Sequence, residues 1–98
     1  MREYLIRTVD DEEFDIPHPK WSEVLHPRAF PPKIIEGHGA LRLEVAGCEV
    51  SFSPEPPGTL IVFESGDISP EVADIIVREI IESAESFTGQ KGKVVSLQ

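Results

Sequence analysis

Leu41, Leu43 and Val45 alternate with Arg42 and Glu44, and a few residues on Val50 and Phe52 alternate with Glu49, Ser51 and Ser53. A period of two places each set on its own face of a strand, so the two runs predict a β-hairpin. Two turns keep its faces in phase. A turn on Ala46-Gly47 sets Glu44 opposite Glu49, where like charges destabilise the pair. A turn on Gly47-Cys48 sets Glu44 opposite Ser51 and puts glycine first, as a type II′ turn requires. The second is therefore expected, with Cys48 exposed in the turn.

After the stiff connection Pro54–Gly58, the run Thr59–Ser65 (TLIVFES) reads as the third strand of a meander. It is apolar on both sides, with Leu60 and Val62 facing one way and Ile61 and Phe63 the other. Such a strand belongs in the middle of a sheet covered on both faces. Tyr4–Val9 and Lys93–Leu97 read as shorter strands, one of them at an edge.

Between the last two strands the period changes. Ala73, Ile76, Val77, Ile80, Ile81, Ala84 and Phe87 recur at three and four, the buried stripe of a helix. Ser69 is suited to cap its start, Pro70 to the first helical position and Gly89 to a left-handed C-cap. A strand, helix and strand in sequence predict a parallel crossover. Glu71, Asp74, Arg78, Glu82 and Glu85 read as the helix's solvated face.

The segment Ile16–Gly39 breaks all periodicity. It holds five prolines, all three histidines and the single tryptophan, and proline both fixes φ and removes a donor. One helical turn over Ser22–His26 would stop at Pro27. The segment is expected to be an irregular arm, pinned by Trp21, Val24, Leu25, Phe30, Ile34 and Ile35 over the sheet face that the helix leaves bare. The fold class is thus α+β: a small, antiparallel-rich mixed sheet (β, Pro-rich arm, β-β-β meander, α, β) with one long helix on one face. Residues 1–98 form one domain, divided into an acidic then Pro-rich arm at 10–39 and a β-β-β-α-β core at 40–98.

Charge narrows the partners. Eighteen acidic residues against nine basic ones leave a formal charge of −9, which repels nucleic acid and anionic lipid and favours cationic proteins. No run approaches the length of a membrane span and none resembles a signal peptide, and a single cysteine makes no internal disulfide, so the expected location is cytoplasmic.

Candidate chemistry is sparse. His18, His26 and His38 are eight and twelve residues apart, spacings that fit no helical pair or compact metal site. Cys48 has Glu49 beside it and no basic neighbour to lower its pKa. Gly37-His38-Gly39 lacks the lysine and preceding strand of a phosphate loop. No cofactor, metal site or catalytic residue is expected, and the chain reads as a non-enzyme.

What remains is a small acidic protein-binding module, in its concrete form an inhibitor or immunity-type protein for a basic partner. The residues expected to carry binding are the acidic run Asp10, Asp11, Glu12, Glu13 and Asp15, with Trp21 and Phe30 as aromatic anchors. Two alternatives stand beside it. One is a self-associating structural protein that dimerises through an edge strand. The other is a small ligand-binding protein or enzyme with its site at the His/Trp arm.

Overall fold

Alternating side chains along the chain build a single sheet. The computed structural model describes residues 2–27, 33–35, 41–65 and 68–96, except for the side chains of His18, Ser65 and Ser96. Its elements are β1 (Arg2–Thr8), a 3₁₀ turn (His18–Lys20), α1 (Trp21–Val24), β2 (Lys33–Ile34), β3 (Leu41–Val45), β4 (Cys48–Glu55), β5 (Gly58–Ser65), α2 (Pro70–Thr88) and β6 (Gly92–Ser96). The sheet order is β2-β3-β4-β5-β1-β6, with every neighbouring pair antiparallel. This is an α+β domain with one long helix on the sheet.

β1 decides the topology. It pairs with β5 on one side and β6 on the other. β5 and β6 therefore run parallel to each other, as a strand-helix-strand unit demands, but do not pair, because β1 fills the place between them. The α2 crossover spans one strand and leaves β6 at the edge.

α2 forms as its pattern requires. The Ser69 hydroxyl accepts from the Val72 amide at 3.2 Å, Pro70 occupies the first turn, and Gly89 closes the helix at φ 76° with its amide donating to the Glu85 carbonyl. Ala73, Ile76, Val77, Ile80, Ile81 and Ala84 are buried against the sheet residues Tyr4, Ile6, Phe52, Ile61 and Phe63. Tyr4 and Phe63 meet edge to face, their ring centroids 5.7 Å apart. Phe87, expected in the stripe, is 49% exposed at a shallow hollow that Glu23, Val24, Ser83 and Ser86 also line.

The sheet is wholly antiparallel where a mixed one was expected, and the hairpin register and the place of the arm differ too. The hairpin turns on Ala46-Gly47, with Glu44 opposite Glu49 and Cys48 opposite Val45. Ala46 and Gly47 both have positive φ (52° and 76°), as in a type I′ turn, whose twist matches that of the strands. Arg42 meets Glu49 at 3.0 Å, and Lys33 lies across from Glu44 on β2, so the facing carboxylates are each supplied with a cation. This register also buries one more apolar side chain: Cys48 is 1% exposed in the core, not in an exposed turn.

The arm, too, lies elsewhere. Phe14, Ile16, Trp21, Val24 and Leu25 join the same core as α2, so the arm packs on the helix side of the sheet. Dimensions explain why. Six strands span roughly 24 Å between outer axes, whereas one helix covers about 10 Å. The helix-bearing face needs the arm before the opposite face does. On that opposite face Leu5, Leu60, Val62 and Val95 stay half-buried among charged neighbours. Arg42 spans part of it, reaching Glu49 at one end and Glu64 (3.1 Å) at the other.

Candidate site: the groove between the long helix and the edge strand

Because β6 is last in the sheet, its outer edge has no neighbour among the described residues. Backbone groups of an extended strand alternate in direction. The Lys91 carbonyl accepts from the Val9 amide, on the β1 side, at 2.9 Å. The Gly92 amide points the other way and donates to Glu85 Oε2 at 2.8 Å. Continuing the alternation, the Val94 amide and carbonyl point outward along the free edge.

Beside this edge α2 presents Asp74, Val77, Arg78, Ile81, Glu82 and Glu85, spaced three and four apart on one side of the helix. Together with Tyr4, Gly92, Lys93 and Val94 they enclose a groove of about 530 Å³. Val77 and Ile81 form its floor, and Val94, 46% exposed, forms its wall. The Tyr4 hydroxyl donates to Asp74 Oδ1 at 3.2 Å. Burial raises the Tyr4 pKa above the ordinary phenol value, and the hydrogen bond to Asp74 and that carboxylate's charge push it the same way.

The acidic run sits at one end of the groove. Asp11 has φ 62°, a left-handed conformation that Asp tolerates, and the tight turn is closed by Thr8 N to Glu12 O (2.8 Å) and Glu12 N to Thr8 Oγ1 (3.1 Å). Lys93 meets the Asp11 carboxylate at 2.6 Å and Arg7 approaches it at 3.3 Å. The hydrogen bond and charge of Lys93, with a smaller contribution from Arg7, hold the Asp11 carboxyl below its usual range. The Asp15 amide donates to Gln90 at 2.9 Å. Phe14 packs so tightly over Gly92 that a Cβ there would overlap its ring. The loop is thus tied to the start of β6, with Asp10, Asp11, Glu12, Glu13 and Asp15 all exposed.

The remaining sequence candidates separate from this site. Trp21 is 5% exposed, and its indole donates to the Ile16 carbonyl at 3.0 Å. That ring pins the arm from inside and presents no free face to a partner. Phe30 and His38 lie outside the described residues, as does the side chain of His18. His26 is half-buried, with Nδ1 3.3 Å from the Pro27 carbonyl. Among the described residues no three metal-ligating side chains converge, and no helix is long and apolar enough to cross a membrane.

Tyr4, Asp74, Glu85, Gly92 and Val94 are groove residues that the sequence does not announce. The helix members read as a solvated face, and the groove exists only because β1 separates β5 from β6. What the site offers a ligand is a row of outward backbone groups, an apolar floor and a rim rich in carboxylates. No protein family, curated protein or solved structure matches this chain.

Proposed function

We propose that this protein is a small acidic protein-binding module that takes a basic partner along the α2–β6 groove. The observation that supports this reading is the continuity of three features on one surface: the free edge of β6, the groove beside it, and the exposed acidic loop tied to its end. Edge strands offer main-chain hydrogen bonds, apolar grooves take side chains, and surplus carboxylates steer and orient cations. In its concrete form the module is an inhibitor: it covers a cationic surface of its partner.

The test starts from a partner identified by crosslinking in the native host and then purified. Its affinity is measured against salt for the parent protein and for a variant with Asp10, Glu12 and Glu13 each changed to Lys. Among the described residues these three carboxylates make no ion pair or hydrogen bond through their side chains. The expected result is an affinity that falls with salt and weakens at least about tenfold on charge reversal. Equal affinities for parent and variant at every salt concentration would refute the electrostatic reading.

The free edge also favours a second reading, pairing of β6 with β6 of another copy. Sedimentation equilibrium at micromolar concentration decides it: a dimer that Val94→Pro dissociates supports self-association, and a monomer refutes a stable dimer.

A further inference from the structure

Resting on the basic-partner reading, we propose that the partner supplies an extended segment that adds to β6 as a seventh strand, pairing at Val94 with its basic side chains over the groove. The bound segment is one in which basic and apolar residues alternate.

Backbone geometry carries this inference. Of the outward groups along β6, the Gly92 amide is already engaged by the Glu85 carboxylate, which occupies the place a neighbouring strand's carbonyl would take. Two residues on, Val94 presents the next outward amide and carbonyl, and its half-exposed side chain borders the groove. An added strand projects alternate side chains to opposite faces of the sheet. Those on the helix side enter the groove, where Val77 and Ile81 are buried and the rim carries the carboxylates of Asp74, Glu82 and Glu85 beside Arg78. Those on the other side lie beside Lys93, which Asp11 already pairs, and the half-buried Val95. The groove-facing side of the added strand is therefore matched by basic side chains and the other side by apolar ones. A helical segment uses the outward Val94 groups far less well, since its own backbone groups are already paired.

The experiment uses three synthetic peptides and the full chain. The first alternates lysine and valine; the second has the same composition in two blocks; the third is the alternating peptide N-methylated on the residues whose amides face β6. Calorimetry at moderate salt is expected to give tightest binding to the alternating peptide. Methylation should weaken it about tenfold, the equivalent of one to two lost backbone hydrogen bonds. Val94→Pro should weaken the alternating peptide similarly, because proline at an outward edge position removes the donor without breaking the ladder. If that variant fails to fold, the methylated peptide still decides. Equal binding of all three peptides would overturn strand addition while leaving the charge reading intact. Binding of none would overturn both.

Discussion

Individual side chains make the loop after β1 a fixed part of the surface. Asp11 is held by Lys93 and Arg7, and Phe14 packs over Gly92. Since the folded Asp11 carboxyl lies below its ordinary pKa, the unfolded chain takes up a proton first as pH falls. Its contribution to stability is present above the ordinary Asp value and is lost as pH drops through the folded value. Asp11→Asn keeps a residue that accepts positive φ, and urea melts across the acid range should show a shallower loss for it than for the parent. Tyr4 acts at the other extreme. Its raised pKa makes its contribution complete below the ordinary phenol value and lost as pH rises through the folded one, so Tyr4→Phe should flatten the alkaline limb of the same profile. Gly92→Ala tests the packing. An added methyl must displace the Phe14 ring, and chemical denaturation should report a loss of about 1–3 kcal/mol.

At the scale of elements, the helix and the hairpin show opposite degrees of legibility. The boundaries of α2 were written in single residues, Ser69, Pro70 and Gly89, each with a local backbone consequence. Removing the cap with Ser69→Ala should cost about 0.5–2 kcal/mol, read by urea denaturation. The hairpin register turned on non-local compensation. The repulsion of Glu44 and Glu49 was visible in the sequence. Their relief was not, because Arg42 stands diagonally across from Glu49 only in the observed register and Lys33 arrives from β2. The same turn leaves Ala46 in the left-handed region, costly for any residue with a Cβ. Ala46→Gly should therefore stabilise the protein by about 1 kcal/mol, as a rise in denaturation midpoint without a change in slope.

For the whole molecule, the sheet is wider than one helix can cover, and that mismatch fixes where the arm goes. Five apolar residues of residues 14–25 complete the helix-side core, and Trp21 serves that core instead of an interface. Composition revealed that the arm had to be pinned, but the number of strands, which decides the face it covers, was hidden: β2 is two residues long and carries no alternation. The candidate groove was hidden for the same kind of reason. It depends on β1 standing between β5 and β6, a placement no local pattern records. The acidic loop, by contrast, was legible as a charge run, and the fold puts it beside the free edge.

The most direct test of the proposed binding surface is an amide shift map of isotope-labelled protein titrated with the alternating lysine–valine peptide. Changes should concentrate on residues 91–96 of the β6 edge, on the loop from Asp10 to Asp15, and on the groove side of α2 between Asp74 and Glu85. Changes centred on Leu5, Leu60 and Val62 would place the interface on the opposite face of the sheet and contradict the groove.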